Sequence, residues 1–277
     1  MADQAPEVIR AASEALNARL KRVETHGESL SELIQAWGNL DAFDLVPAIA
    51  EDRYSWDLVL VVRTDPDLDQ WGLAFGEAVH QLRSALNSLV ASVAQSLGTW
   101  SENDRNLQFP ICLDSKAWNA ALRQSFGALP DSVKTAIEGL QPFRDSGGKN
   151  LEGIDHPLWL ISYWNNTDKH RVALKLRLAS AGAKHAGSVV FEDAPDWSTP
   201  PEMTVFAPED ADGLLLRCRT APNRIARITG NFDYTLQVSA TGESGKNFGV
   251  TTSLSDLIQY TRMAVDQVLE AWQSELP

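Results

Sequence analysis

The hydrophobic period of the chain changes near Val172, and this change constrains the fold more than any other feature of the sequence. Before it, apolar residues recur every three or four positions over long stretches, which is typical of amphipathic helices. After it, apolar and polar residues alternate in the segments 172–178, 214–219 and 232–238, which is typical of half-buried strands. A helical pattern returns over Ser253–Trp272. The chain therefore combines a largely helical part with a sheet.

Within the first part, a long helix is predicted over the first forty residues, and a β-hairpin follows at about 42–64. Pro47 is expected to keep its strand at a sheet edge. We therefore predict the α+β class: a helical bundle with a long N-terminal helix and a β-hairpin, plus an antiparallel sheet and a C-terminal helix. The predicted domains are 1–172, the bundle with its hairpin insertion, and 173–277, the sheet and the C-terminal helix. We expect that helix to pack back on the bundle, so that the two form one compact unit.

Charge and composition exclude several classes of protein. The chain has 24 Lys and Arg against 37 Asp and Glu, and the net charge of −13 argues against binding nucleic acid through net charge. Two cysteines do not form a disulfide framework. The start, MADQAPEVIR, has no apolar stretch behind a basic end, and no run approaches the roughly 18–20 apolar residues of a membrane span. We expect a cytoplasmic protein with no membrane partner.

The near-heptad stripe of the first helix packs either within the chain or on a second copy of it, so the sequence leaves open a homodimer formed through helices.

Two predicted helices carry an unusual set of polar residues. On the first, His80, Arg83 and Asn87 are spaced i, i+3 and i+7, so they share one face. On the second, one turn separates Asn166 from His170. At 100° per residue, Arg171 points away from the face of His170 if the helix continues that far. The candidate ligand-binding residues on the two helices are His80, Asn87, Asn165, Asp168, Lys169 and Arg171.

Four pieces of the chain carry a resemblance, and they lie within residues 70–175. They are Gly76–Leu86, Phe109–Ile111, Gln141–Phe143, and His156–Leu158 with Asn166–Arg171. Taken together, they resemble a group of uncharacterised bacterial proteins that is frequent in actinobacteria. The resemblance implies no activity, because the group has no assigned chemistry. Its members usually have Asp-His after Ser-Ala-Leu, where this chain has Asn87-Ser88, and any chemistry of that pair would be lost here.

A more distant resemblance comes from the Asn-rich turn followed by a histidine. Asn165 to His170 is similar in spacing to the motif of the HEPN group of helical ribonucleases, although Asn stands where Arg is expected. The resemblance implies that a histidine moves the proton while an arginine polarises the phosphate. It thereby assigns candidate catalytic roles to His170, Arg83 and Asn166, with Arg171 as the other possible source of the positive charge. Metal-independent cleavage of RNA or a role in defence is the alternative function.

The same residues also admit structural roles. Arg83 and Asp168 could form an interhelical ion pair, and His170 could bond a carbonyl at a helix end. A metal site could draw on His80, His156 and His170, but fourteen residues separate the last two, which is about 21 Å along a helix. No metal and no cofactor are expected.

Two strands of the predicted sheet carry basic residues on their outward side. If the strands are neighbours, they form a basic face in an otherwise acidic protein. That face consists of Lys175, Arg177, Arg217 and Arg219. The sequence thus favours a non-catalytic binding or interaction protein with a site for a small anionic ligand or an RNA backbone near the Asn-x-Asp-Lys-His-Arg turn.

Overall fold

The α+β class is confirmed by a computed structural model, which describes residues 5–98, 107–144, 153–170, 174–206 and 213–275. In chain order the described elements are α1 (Ala5–Gly38), β1 (Phe43–Ile49), β2 (Ser55–Val62), α2 (Leu68–Ser96), α3 (Ser115–Ala121), α4 (Asp131–Gly139), α5 (Pro157–His170), β3 (Leu176–Phe191), β4 (Glu202–Val205), β5 (Leu214–Arg219), β6 (Ile225–Thr241), β7 (Asn247–Gly249) and α6 (Val250–Gln273). A π-helical turn, Leu122–Phe126, extends α3. The long N-terminal helix, the hairpin and the C-terminal helix are all present.

The chain divides into two compact units. The helical unit takes the described residues of 1–31, 69–175 and 241–277, and the sheet unit takes those of 32–68 and 176–240. A single cut at 172/173 does not reproduce this division, because the hairpin strand β2 pairs with β5, far along the chain. The C-terminal helix α6 belongs to the helical unit, where it packs against α4 and α5.

The helical unit is built around α2, whose apolar stripe is fully buried. Phe75, Val79, Leu82, Leu86 and Leu89 all have no exposed surface, as their spacing of three and four residues predicts. Helix α1 is fixed to this core by polar contacts. Arg19 Nη1 donates to Ser84 Oγ on α2 at 2.8 Å, and Arg262 Nη2 on α6 lies 2.8 Å from Glu24 Oε1.

The sheet unit contains a four-stranded antiparallel sheet in the order β1-β2-β5-β4. Strand β1 lies at an edge, as Pro47 predicts, because proline donates no ladder hydrogen bond. The alternating residues Trp56, Leu58 and Leu60 of β2 are buried. A second sheet has the order β3-β6-β7, with β3 pairing β6 from Leu176↔Ala240 to Phe191↔Ile225. The predicted strand 172–178 overlaps β3 from Leu176 onward, and β3 continues far beyond it to Phe191, while residues 172 and 173 lie outside the described residues.

Candidate functional site

Helices α2 and α5 of the helical unit bring the two polar motifs together in an antiparallel arrangement. His80 Nδ1 on α2 lies 3.0 Å from Asn165 Oδ1 on α5. One turn earlier on α2, a Cβ on Gly76 would lie only 2.9 Å from Asp168 Oδ1. Between these two contacts the residue number rises from 76 to 80 on α2 and falls from 168 to 165 on α5, so the two helices run in opposite directions. A glycine at position 76 is what allows the Asp168 carboxylate to lie against the backbone of α2.

Asn165 and His80 have different surroundings. The Asn165 side chain is buried, with 4% of the residue exposed, whereas His80 is exposed. Since a carboxamide oxygen only accepts, the Nδ1 of His80 donates in this hydrogen bond, and its Nε2 remains on the outer side of the ring. The pair therefore places a buried amide behind an imidazole that solvent reaches.

Arg83 lies one turn beyond His80 on the same face of α2, and its charge is not compensated within the described residues. The side chain is half-buried, and its Nη1 is inaccessible to solvent and has no hydrogen-bond partner among the described residues. Burial lowers the pKa of Arg83 from its ordinary value to about 10, because desolvation disfavours the charged form. A guanidinium nitrogen that is buried without a hydrogen-bond partner lowers the stability of the folded state, so such an arrangement is unusual in a protein.

The ion pair between Arg83 and Asp168, one of the structural roles considered above, is not formed: no contact of 4.0 Å or less joins these two described residues. The antiparallel register gives the reason. Asp168 lies opposite Gly76, and Arg83 follows Gly76 by seven residues, which is about 10 Å along the helix. Asp168 is half-buried, and it makes no hydrogen bond or ion pair with another described residue.

The C-terminal end of α5 is only partly described. The backbone of Lys169 and His170 completes the helix, but their side chains, like the whole of Arg171, lie outside the described residues. Asn166 is exposed on α5. By the register above, position 170 lies opposite about position 74 of α2, roughly 13 Å along the axis from Arg83. The structure thus does not bring the backbone positions of Arg83 and His170 close together, and the ribonuclease hypothesis stays a prediction.

Asn87, predicted as a ligand-binding residue, contacts the main chain instead. Its Oδ1 accepts a hydrogen bond from the Phe109 N–H at 3.0 Å. Gln141 supports the same segment from the other side. It is fully buried, its Oε1 accepts from Cys112 N, and its Nε2 donates to the carbonyls of Pro110 and Ile137. Asn87, which directly follows the first motif piece, and Gln141, which begins the third, therefore both hold the Phe-Pro-Ile segment in place.

His156 begins the fourth motif piece and holds the start of α5. Its Nδ1 accepts a hydrogen bond from the Leu158 N–H at 3.2 Å, and Pro157 occupies the first helical position. Its Nε2 lies 3.1 Å from the Tyr260 hydroxyl, which donates to the Leu140 carbonyl at 2.9 Å. This arrangement requires a neutral ring with the proton on Nε2. Burial lowers the pKa of His156 from 6.5 to about 4.

Because both ring nitrogens of His156 are used within the protein, this histidine has none left for a metal ion. Across the described residues, no group of three or more His, Cys, Asp and Glu side chains is arranged to hold a metal.

The predicted basic residues do not form one face. Arg177 lies on β3 and Lys175 just before it, whereas Arg217 and Arg219 lie on β5, which belongs to the other sheet. The Nε and Nη2 of Arg217 each donate to the Asp57 carboxylate at 2.7 Å. Arg219 is directly opposite Glu202 on β4. The condition for a joint basic face, adjacency of the two strands, is not met.

One surface feature was not predicted from the sequence, a cleft of about 350 Å³ between α1 and α6. Its walls include Glu24, Glu28, Ser31, Thr251, Ile258 and Arg262. A Cβ on Gly27 would lie 3.0 Å from Leu254 Cδ2, so the floor of the cleft is a close helix contact. Residues more than two hundred positions apart form this cleft, and no local motif marks it.

The fold and the α2–α5 site define an α+β protein with an arginine on α2 whose Nη1 has no hydrogen-bond partner among the described residues. Comparison of the chain with protein-family models, with curated proteins and with solved structures finds no match. No helix among the described residues has the length and apolar content needed to cross a membrane.

Proposed function

We propose that this protein binds a small anionic ligand at the α2–α5 face and that Arg83 supplies the charge that recognises it. The observation that carries the proposal is the half-buried guanidinium whose Nη1 has no partner among the described residues. An anion that binds there would provide the acceptor that the fold does not. The role is binding rather than catalysis.

The neighbouring groups favour an oxygen anion. Arginine presents its N–H donors in a planar fork that matches a carboxylate or a phosphate. The exposed ring of His80 lies one turn away, held by Asn165, and its position is suited to contact the same ligand from the solvent side. A carboxylate and a phosphate group share this chemistry, so both belong in the test.

A small anion is favoured over an RNA backbone by the charge distribution. A chain of net charge −13 needs a continuous basic surface to hold several phosphates, and the predicted basic strands lie in different sheets. One arginine in a half-buried position suits a single anionic group.

The experiment measures the melting temperature of the protein with sodium acetate or sodium phosphate against sodium chloride at matched ionic strength. A ligand that binds the folded state raises the melting temperature. We expect acetate or phosphate to raise it in the wild type and not in Arg83→Met. Arg22→Met, which removes an exposed arginine of α1, is the matched control and keeps the response.

Two results would overturn the proposal. One is an equal response to the anions in wild type and Arg83→Met, which would show that the anions act elsewhere. The other is a melting temperature that a single-stranded RNA oligonucleotide raises and that neither small anion raises, which would favour RNA as the ligand.

A further inference from the structure

A second uncompensated charge lies on the same pair of helices. The Asp168 carboxylate is held against α2 at Gly76, is half-buried, and has no cation within 4.0 Å among the described residues. Arg83 has no anion among them either. The face that we propose for ligand binding thus carries one group of each sign that has no partner in the part of the chain that the structure describes.

The register of the helices explains why these two charges do not neutralise each other. Gly76 and Arg83 are about 10 Å apart along α2, and Asp168 is fixed at the level of Gly76. Long side chains on a helix lean towards its N-terminus, so the Arg83 guanidinium leans back towards His80 and shortens this separation. Along the helix axis the charged groups are then less than about 10 Å apart, which is within the length of a small molecule, and no contact of 4.0 Å or less joins these two described residues.

We infer that the ligand is a zwitterion, with an anionic group that Arg83 binds and an ammonium group that Asp168 binds, separated by a short apolar linker. The inference rests on the proposed function and names its ligand class. A simple anion would compensate Arg83 and leave Asp168 unpaired, whereas a molecule of the ω-amino-acid type compensates both. The His80–Asn165 pair lies between the two charged ends, beside the linker.

Four probe molecules, which carry one charge or both, measure the contributions of Arg83 and Asp168 to binding separately. The probes are 6-aminohexanoate, hexanoate, hexylamine and glycine, and the dissociation constant of each is measured by titration calorimetry on the full chain. We expect 6-aminohexanoate to bind at least tenfold more tightly than hexanoate, and hexylamine and glycine to bind more weakly than 6-aminohexanoate. In Asp168→Asn, which keeps the size of the side chain, we expect the two carboxylates to bind equally.

The outcomes distinguish this inference from the proposed function. If hexanoate and 6-aminohexanoate bind wild type equally and Arg83→Met abolishes both, the site binds anions and the zwitterion inference is wrong. If none of the probes binds and neither acetate nor phosphate binds, the proposed function itself fails. Binding of hexylamine as tight as that of 6-aminohexanoate, or a preference for the zwitterion that Asp168→Asn leaves intact, would also overturn the inference.

Discussion

At the scale of single residues, the polar side chains of the motifs separate into those that the fold uses and those that it leaves unpaired. His156, Gln141 and Asn87 all make hydrogen bonds to the main chain within the helical unit. Arg83 and Asp168 make none with the described residues. Residue type alone does not separate these two sets of side chains, because every one of them carries hydrogen-bonding atoms that could contact a ligand.

His156 gives a prediction about acid stability. Its pKa is about 4 in the folded protein and 6.5 when unfolded, so between these values the unfolded chain binds a proton that the folded protein does not. The stabilisation is complete above pH 6.5 and is lost as the pH falls towards 4. We expect this loss to reach about 3 kcal/mol in the free energy of unfolding.

Urea denaturation between pH 4 and pH 7.5 measures this loss. In His156→Gln, the difference in stability between the two ends of that range should shrink by about the same amount. An unchanged pH dependence in the variant would show that His156 is not held neutral by the fold.

Gln141 gives a second prediction. Replacement by Leu keeps the volume but leaves Cys112 N and the Pro110 carbonyl without their hydrogen-bond partner in a buried place, while the Ile137 carbonyl keeps only its bond from Leu140 N. We expect Gln141→Leu to lower the free energy of unfolding by about 3 kcal/mol. The exposed Gln108, replaced in the same way, should change it by less than about 0.5 kcal/mol. Equal effects of the two substitutions would contradict the assigned role of Gln141.

At the scale of helices, the close approach of α2 and α5 depends on the missing side chain of Gly76. Alanine normally stabilises a helix interior by about 1 kcal/mol relative to glycine. Here its Cβ would meet the Asp168 carboxylate at 2.9 Å. Steric overlap and helix propensity therefore act in opposite directions at this position.

A double-mutant cycle measures the two contributions. Gly76→Ala should lower the free energy of unfolding by about 1 kcal/mol or more in the wild-type background. In an Asp168→Ala background, where the contact is absent, the same substitution should raise it by about 0.5–1 kcal/mol. The same change in both backgrounds would show that Asp168 does not lie against Gly76.

The elements themselves follow closely from hydrophobic periodicity. The apolar stripe of α2 and the alternation of β2 each predict the observed element and its buried face. The sequence does not show that β2 pairs with β5, because strand pairing over about 160 positions leaves no local signal. It also predicts the motif helices without their register, and that register is what separates Arg83 from Asp168.

At the scale of the whole molecule, the chain passes between the two units at four places, so neither unit is one continuous segment. Helix α6 closes the helical unit, with twelve of its residues buried, among them Leu257, Val268 and Trp272.

A chain that ends at residue 249, and so lacks α6, should lose cooperative thermal unfolding, because α4 and α5 lose the helix that covers them. Circular dichroism during heating measures this. A sharp transition in the shortened chain would contradict the role of α6.

We propose that the charge of Arg83 serves ligand binding and not the stability of the fold. The most direct test is the free energy of unfolding of Arg83→Met in buffer free of candidate anions, measured by urea denaturation against wild type. Since an apolar side chain replaces a half-buried cation that has no partner among the described residues, we expect a variant at least as stable as wild type, by up to about 1 kcal/mol. A loss of about 2 kcal/mol or more would show that the guanidinium is paired within the fold and that its charge is not free for a ligand.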